Sequence, residues 1–264
     1  MMPNFALLYR SVGLVVATVA WIVISPTVMA ETPRVAKEHP LDPAIRWAES
    51  SLEKMKQIKD YEAVTAKRER VGDKLQDLEY AYIRVRHEPF SVYMYLLSPA
   101  DIRGCQMVYV EGRKDGKMLV NTGRGAAVTL AIKPDFPLAM KGSRYPITKV
   151  GIKNLAKMFA KQARQDKELA SECDVKIRLG AKVNGRSTTM FQITHKQRIK
   201  ARHLNHMVRI FFDDELKLPT RYEAYDFPDE EGGKPVLLEE YTFLDVKLNI
   251  GFPDKYLNII EEER

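Results

Sequence analysis

The sequence is poor in cysteine and lacks the short motifs by which many enzymes are recognised. Cys105 and Cys173 are its only cysteines. They could form one disulfide in an exported protein or remain two free thiols, and the sequence leaves both alternatives open. No G-x-S-x-G motif occurs. Gly123-Arg124-Gly125 lacks the third glycine and the following helix of a phosphate-binding loop. No segment repeats at a fixed period, so a solenoid is excluded. Without these motifs, the sequence gives no positive support for enzymatic activity.

Charge of one sign is not strongly in excess. The chain has 42 Lys and Arg residues against 35 Asp and Glu residues, a net charge of +7. This mild basic balance is compatible with an anionic membrane surface and is weak evidence for nucleic acid, which an exported protein seldom meets. We therefore expect no nucleic-acid partner.

The longest uncharged apolar run lies at the N terminus. Ser11–Ser25 follows Arg10, and the small residues after it end at Ala30. These features predict a secretory signal peptide cleaved near Ala30, and fifteen apolar residues are few for a membrane span. The predicted organisation is a signal peptide at 1–30, a flexible leader at 31–41, a single domain at 42–252, and a loose C-terminal tail at 253–264.

Two segments have the spacing of amphipathic helices. Asp42 and Pro43 predict an N-cap and a first-turn proline, and apolar residues then recur at spacings of three and four from Ile45 to Met55. Thr148 is predicted to cap a second helix that continues to about Leu169. Each helix has one apolar face, which indicates that it packs on a sheet.

The remaining segments have the period of β-strands and are separated by turn signals such as Asn184-Gly185. We predict six strands before the second helix and five after it. This pattern predicts an α+β fold that is mainly β. It would be a strongly bent antiparallel sheet or unclosed barrel of about eleven strands, with both helices on its concave side.

The longest predicted strand lies in Pro235–Gly251. Its alternating residues form two rows, and the row that begins at Val236 is almost wholly apolar or β-branched. We predict that this row forms a wall of the core. Leu238, Leu244 and Leu248 belong to it and are candidate ligand-binding residues, which would touch either a helix or a lipid.

A second strand, Phe90–Leu97, is apolar on both alternating faces. Such a strand must be covered on both sides, unlike an ordinary antiparallel strand. It is either a central strand under a helix or a strand with one side on an apolar cavity. In the second case Phe90, Val92, Met94 and Leu96 would line the cavity and bind the ligand.

His203-x-x-His206, with His195 nearby, is the strongest metal candidate in the sequence. Zinc needs three or four converging ligands, and the cations between these histidines oppose a dication. We therefore interpret the segment as a basic hairpin loop and expect neither metal nor cofactor. Its candidate membrane-contact or partner-contact residues are Lys196, Arg198, Lys200 and Arg202.

Two acidic segments, Asp213-Asp214-Glu215 and Asp229-Glu230-Glu231, contain paired acids of the kind that hydrolases use. Both lie between predicted strands, beside Pro219 or Gly232-Gly233, where hairpin turns are expected. A hydrolase would require these carboxylates to converge in a cleft, and this hypothesis ranks last.

Five segments carry a family resemblance: Pro89–Pro99, Tyr109–Lys117, Gly142–Gly151, Asp213–Asp226 and Glu239–Gly251. They extend over most of the chain after residue 30, which resembles an uncharacterised domain of unknown function in exported bacterial proteins. The order of helix, strand meander, second helix and return strands is also similar to the lipoprotein-sorting carriers of the Gram-negative periplasm. That resemblance implies a periplasmic location and an unclosed barrel whose helices cover a cavity for lipoprotein acyl chains.

The same resemblance assigns a role to Arg86. In the sorting carriers a basic residue shortly precedes a proline and an aromatic residue in an early strand, and it helps to control access to the cavity. Arg86, Pro89 and Phe90 match this run, with His87 and Glu88 inserted between the arginine and the proline. The resemblance therefore implies that Arg86 contacts the ligand, and the insertion changes the face to which it points.

Two main hypotheses follow. The first is a monomeric, non-catalytic periplasmic carrier or binding protein for a lipid or a lipoprotein acyl chain. The second is a cell-envelope interaction module with a filled core, whose basic loop faces an anionic membrane or an envelope protein. A cavity of roughly several hundred Å³ would favour the carrier, and a packed interior would favour the module.

The second hypothesis predicts that charge reversal in the basic loop abolishes membrane binding. In Arg198→Glu/Arg202→Glu, sedimentation with anionic vesicles should fall to background, because the loop would lose its attraction to the lipid head groups. Ligand loading should be unchanged. Vesicle binding equal to that of the wild-type chain would count against the membrane-facing loop.

Overall fold

The structure, a computed structural model, describes residues 38–123, 128–168, 173–197 and 205–257. The predicted signal peptide, most of the leader and most of the basic loop lie outside the described residues. Those that are described belong to one compact unit. Within this part of the chain, no helix is long and apolar enough to cross a membrane.

Both predicted helices are present. Helix α1 spans Asp42–Met55 and α2 spans Ile152–Glu168. Each buries one stripe of residues, as their spacing requires. The buried apolar residues of α1 are Ala44, Ile45, Ala48 and Met55, and those of α2 are Ile152, Leu155, Ala156, Phe159, Ala160 and Ala163.

The predicted helix caps were wrong. Leu41, which the sequence placed in the flexible leader, is the N-cap of α1 and is fully buried. Asp42 is already helical, and its Oδ2 accepts a hydrogen bond from the backbone N–H of His39 at 3.1 Å. Thr148 lies in a separate 3-10 turn, Ile147–Lys149, ahead of α2. The sequence contains more residues of the capping type than helix N-termini, so local sequence alone does not show which residue caps each helix.

The predicted open antiparallel sheet is confirmed, with twelve strands instead of eleven. The predicted strand Leu75–Arg86 is two strands, because residues 76–78 interrupt it. The strands are β1 Asp60–Val71, β2 Lys74–Leu75, β3 Glu79–His87, β4 Phe90–Ser98, β5 Gln106–Val110, β6 Met118–Asn121, β7 Thr129–Ile132, β8 Cys173–Val183, β9 Arg186–His195, β10 Met207–Asp213, β11 Pro219–Asp226 and β12 Val236–Leu248.

The sheet follows one path, β7-β6-β5-β4-β3-β1-β12-β11-β10-β9-β8, and β2 pairs only with β1. Strands β7 and β8 are the two ends of this path, so the sheet is not closed across the described residues. The closing strand β12 joins the two meanders, because it pairs with β1 on one side and with β11 on the other.

Both helices pack on one face of this sheet, which we call the helix face. One continuous apolar cluster contains the buried stripes of α1 and α2 and the inward side chains of β1, β3, β4 and β9–β12. Its largest fully buried strand residues include Tyr61, Ile83, Phe191, Ile210 and Phe212. Burying a side chain of this size contributes about 1.5–3 kcal/mol. The helix face is therefore the main core of the protein.

The two faces of β4 are buried by different parts of the chain. Val92, Met94 and Leu96 enter the core on the helix face. Tyr93 enters a second cluster on the opposite, outer face, together with Phe252 and Leu257. The interpretation of β4 as a central strand covered on both sides is confirmed, with helices on one side and the C-terminal segment on the other.

The beginning of the predicted loose tail is docked on this outer face. Residues 254–257 form a 3-10 turn, and Leu257 is buried. Asp60 accepts hydrogen bonds from the backbone N–H groups of Gly251 at 3.2 Å and Phe252 at 3.0 Å. Asp254 forms ion pairs with two arginines, Arg86 and Arg113. Residues 258–264 of the predicted tail lie outside the described residues.

A bulge changes which row of β12 faces the core. Glu62 pairs with Lys247 but Val64 pairs with Leu244, so β12 contains one extra residue there. Asp245 has a φ of 52° at this point. Before the bulge, Glu239, Tyr241 and Phe243 face the helices; after it, Val246 and Leu248 do. The prediction of one uninterrupted buried row was therefore wrong, and Leu238 and Leu244 lie on the outer face, half-buried.

The C-terminal segment should stabilise the fold although it ends the described chain. Leu257→Ala is expected to lower the free energy of unfolding by about 2 kcal/mol, because it empties part of the outer cluster. The matched control is Leu138→Ala, whose side chain is 55% exposed and which should change stability by less than about 0.5 kcal/mol. Urea denaturation measures both. Equal, small effects would mean that the segment is only loosely attached.

Candidate functional site

A partly open pocket of about 300 Å³ lies where the beginning of α2 meets the ends of β3, β4 and β5. Its position follows from the topology, because β3, β4 and β5 are neighbours and α2 begins beside them. Two kinds of side chain line it, apolar ones on the wall and polar ones around the opening. The lining residues are Tyr61, Val85, His87, Phe90, Tyr109, Glu111, Thr148, Val150, Gly151, Lys153, Asn154 and Lys157.

The wall of the pocket is apolar and aromatic. Val85 and Tyr61 are buried in the main core beside it, and Phe90 and Val150 pack against that core. The rings of Phe90 and Tyr109 are 6.2 Å apart and tilted at 51°. An aromatic pair at this separation forms a firm apolar surface. The wall can therefore hold a small apolar group out of water.

Gly151 fixes the distance between α2 and the sheet at the pocket. It has a φ of +112°, and a Cβ placed there would lie 2.7 Å from the Tyr61 hydroxyl. That hydroxyl accepts a hydrogen bond from the backbone N–H of Ile152 at 2.9 Å. Only glycine allows both this backbone angle and this approach. The first turn of α2 is therefore held directly against β1.

Positive charge predominates around the opening. Lys153 and Lys157 are four residues apart on α2, so they lie on the same side of the helix, and both line the pocket. Glu111 is the acidic residue of the lining, and its Oε2 accepts a hydrogen bond from the backbone N–H of Phe90 at 3.3 Å. The first turn of a helix adds a partial positive charge of its own.

His87 is a titratable residue of the pocket lining. Its Nδ1 lies 2.6 Å from the carbonyl oxygen of Ile58, which can only accept, so Nδ1 carries the proton. Its Nε2 is a buried atom for which the described residues provide no hydrogen-bond partner. Burial lowers the pKa of His87, the Ile58 carbonyl opposes this, and Lys153 lowers it further. His87 is therefore neutral, with a free acceptor at Nε2.

Four of the eight predicted ligand-binding residues come from β4, and the structure separates them. Phe90 lines the pocket. Val92, Met94 and Leu96 are buried in the packed core of the helix face, further along the strand. The four side chains do not line a common cavity, because α1 and α2 fill the space beside Val92, Met94 and Leu96.

The other predicted ligand-binding residues lie away from the pocket. Leu248 packs against the core on the helix face, and Leu238 and Leu244 lie on the outer face beyond the bulge. Arg86 is on the outer face, where it pairs with Asp254 and donates to the Ser91 hydroxyl at 3.2 Å. It holds the C-terminal segment to the sheet. The insertion between Arg86 and the proline agrees with this change of face.

The predicted basic loop is described only at its beginning. Lys196 Nζ lies 3.5 Å from a carboxylate oxygen of Asp174. Arg198, Lys200 and Arg202 lie outside the described residues, and so does His203. The nitrogens of the two described histidines contact backbone: His195 Nδ1 is 2.8 Å from the Asn205 carbonyl, and His206 Nδ1 is 2.9 Å from the His195 carbonyl. No metal-binding group of three ligands occurs among the described residues.

The first pair of predicted acids is part of a hairpin. Asp213 is buried and binds Arg186, and its Oδ1 accepts from the backbone N–H of Leu216 at 2.8 Å. Burial acts to raise the pKa of Asp213, but Arg186 and the backbone donors outweigh it and the pKa is lowered. Asp214 accepts from Ser187 and Thr189, both at 2.8 Å. These acids stabilise a turn.

A buried polar cluster at the other end of β1 was not predicted. Glu69 and Glu239 are each 3% exposed and are paired across β1 and β12. The Tyr241 hydroxyl donates to Glu69, Arg144 Nε lies 2.8 Å from Glu239, and the backbone N–H of Arg144 donates to Glu69 at 2.8 Å. Tyr145 adds a hydrogen bond to Glu239 at 3.4 Å. The cluster attaches the loop before α2 to the sheet.

Sequence reasoning also missed most of the pocket. The sequence marks His87 only as an insertion, and it gives no functional signal for Lys153 or Lys157. Tyr109 and Gly151 lie in segments that carry the family resemblance, which was the one available signal.

The structure distinguishes between the two alternatives for the cysteines. Cys105 and Cys173 are both free and form no disulfide.

The buried cluster predicts a pH dependence of stability. Burial raises the pKa of Glu239, Arg144 opposes this, and Glu69 raises it further. A raised acid pKa in the folded state means that stability is complete below the unfolded pKa and declines as the pH rises through the folded pKa. Glu239→Gln mimics the protonated form, so its stability relative to the wild type should rise between about pH 4 and about pH 8.

Urea denaturation at several pH values tests this expectation. Glu53→Gln is the matched control, because Glu53 is an exposed acid on α1 and its substitution should change stability by less than about 0.5 kcal/mol. If Glu239→Gln instead became less stable than the wild type as the pH rose, Arg144 would dominate the environment of Glu239 and the assigned direction would be wrong.

Comparisons with solved structures found several similar proteins. The chain is similar to the lipoprotein LppX of Mycobacterium tuberculosis, with 14% identity, 80% of this chain and 98% of that chain covered, and a TM-score of 0.45. It is similar to a putative outer membrane lipoprotein-sorting protein domain from Vibrio parahaemolyticus, with 12% identity, 82% and 100% coverage, and a TM-score of 0.36.

A third similar structure is the MucA/MucB complex of Pseudomonas aeruginosa, with 18% identity, 81% of this chain and 60% of that chain covered, and a TM-score of 0.45. The search of curated proteins found no significant match. A family model matches residues 58–258, which is most of the chain and confirms the predicted membership in a family of unknown function. The chain belongs to the family described as "Protein of unknown function (DUF1571)".

Proposed function

We propose that this chain is a non-catalytic carrier or binding protein that holds one small apolar or amphipathic ligand in the pocket at the beginning of α2. The observation that supports this is the pocket of about 300 Å³, whose aromatic wall is formed by Tyr61, Phe90 and Tyr109. Ligand pockets in proteins begin at about this volume. Export to the periplasm after cleavage near Ala30 is part of the proposal.

The packed helix face limits the size of the ligand. At about 30 Å³ for each water-sized group, a pocket of about 300 Å³ holds roughly ten such groups. This is one short chain, or one end of a longer lipid, and it is less than the several acyl chains of a lipoprotein. Burying about eight methylenes at about 0.8 kcal/mol each would contribute roughly 6 kcal/mol before the entropy losses of binding.

The packing of the core also supports a second candidate, the cell-envelope interaction module. The core cluster extends across α1, α2 and most strands of the helix face, and a filled interior is what that hypothesis requires. In this case an envelope protein or an anionic membrane would bind the surface. The two candidates differ in what the pocket does, so a variant that fills only the pocket separates them.

Thr148→Trp should block the pocket. Thr148 is half-buried in the lining, and an indole there would occupy much of the available volume. We expect octanol binding, measured by isothermal titration calorimetry, to fall at least about tenfold. Lys149→Trp is the matched control, because Lys149 belongs to the same 3-10 turn but is exposed and outside the lining.

Native mass spectrometry of the wild-type chain after periplasmic expression provides a second measurement. A bound small lipid that is lost in Thr148→Trp and kept in Lys149→Trp would support the carrier. A wild-type chain that binds neither octanol nor octanoate, and that carries no lipid, would overturn the carrier and favour the interaction module.

A further inference from the structure

We propose that the pocket selects a weak-acid head group, a carboxylate or a phosphate monoester, attached to a short apolar chain. This inference rests on the proposed function and specifies its ligand. The wall accounts for the chain, since Phe90 and Tyr109 pack together there. The head group follows from the charges at the opening and from the buried, unsatisfied Nε2 of His87, a residue that lines the pocket.

The two lysines favour an anion. Lys153 and Lys157 both line the pocket, and Lys153 is half-buried while Lys157 is exposed. Lys161, one turn further along α2, is exposed and outside the lining. The two lysines outnumber Glu111, the acidic residue of the lining, and the first turn of α2 adds a partial positive charge, so the field at the opening is net positive.

His87 distinguishes a weak acid from other anions. With the proton on Nδ1, its Nε2 can accept a hydrogen bond but cannot donate one. A carboxylic acid or a phosphate monoester can provide the shared proton, either by donating its own O–H or by binding as an anion while Nε2 takes up a proton. A sulfonate stays unprotonated, so only the second route is open to it, and that route requires a cationic imidazole beside Lys153. A weak acid therefore satisfies both the lysines and the buried nitrogen.

This arrangement makes binding depend on pH. The groups that act on His87 are Lys153 from α2, Asp60 from β1 and Glu88 beside it, and Lys157 and Glu111 line the same pocket. An anion in the pocket favours the protonated form of His87 and so raises its pKa. The extra affinity is complete below the pKa of the free protein and is lost as the pH rises through that of the complex.

The experiment compares four probes by isothermal titration calorimetry on the mature chain: octanoate, octanol, octanesulfonate and inorganic phosphate. We expect octanoate to bind at least about tenfold more tightly than octanol or octanesulfonate. Inorganic phosphate alone should bind weakly, because it lacks the apolar chain. If phosphate bound as tightly as octanoate, the site would be one for free phosphate and the lipid-like ligand would be wrong.

Three variants assign the effect. Lys153→Met keeps an apolar stem and removes the charge, so octanoate affinity should fall about tenfold while octanol affinity is unchanged; Lys161→Met is the control and should match the wild type. His87→Gln should remove the decrease in octanoate affinity between about pH 6 and about pH 8. Circular dichroism confirms that each variant is folded.

The possible failures are distinguishable. Octanol binding without any preference for octanoate, or an equal effect of Lys153→Met and Lys161→Met, would overturn the weak-acid site and leave the proposed function standing. Preference for octanesulfonate over octanoate would overturn the role of His87. The absence of binding by octanol and octanoate alike would overturn the proposed function itself.

Discussion

The burial of one sheet face under a pair of helices is the constraint on which the rest of the structure depends. An open sheet of this width has an apolar face that must be removed from water, and α1 and α2 cover it with stripes that include Met55, Leu155 and Phe159. Because the helices fill that space, the interior of the open barrel is a core, and the pocket lies at one end of it. The size of any ligand is thus decided by how completely the helices pack.

The position of α2 is fixed at both ends of the segment that leads into it. At one end, Arg144 joins the buried carboxylates Glu69 and Glu239. At the other, Gly151 lets the first turn of α2 approach the Tyr61 hydroxyl. Both attachments are made to the paired strands β1 and β12. The pocket therefore lies on rigid elements, which is the condition under which a few side chains can hold a ligand in one orientation.

Local periodicity was enough to predict the helices, the succession of strands along the chain and the two-sided burial of β4, because these depend on residues that are close in sequence. It failed at Asp245, where one extra residue moves Leu238 and Leu244 to the outer face. A bulge of this kind depends on the partner strand and has no periodic signal. The pocket was missed for a related reason: His87, Tyr109 and Lys153 come from separate elements that only the folded sheet brings together.

The buried side-chain atoms that lack a hydrogen-bond partner differ in whether they lie beside the pocket. Five buried side-chain atoms have no hydrogen-bond partner among the described residues, and those of histidines belong to His39, His87 and His195. His195 Nε2 at least lies 3.5 Å from a carboxylate oxygen of Asp166. The nitrogen of His87 instead belongs to a residue that lines the pocket. An unsatisfied buried group costs about 1–3 kcal/mol, and under the proposed function a ligand that reached His87 Nε2 would remove that cost.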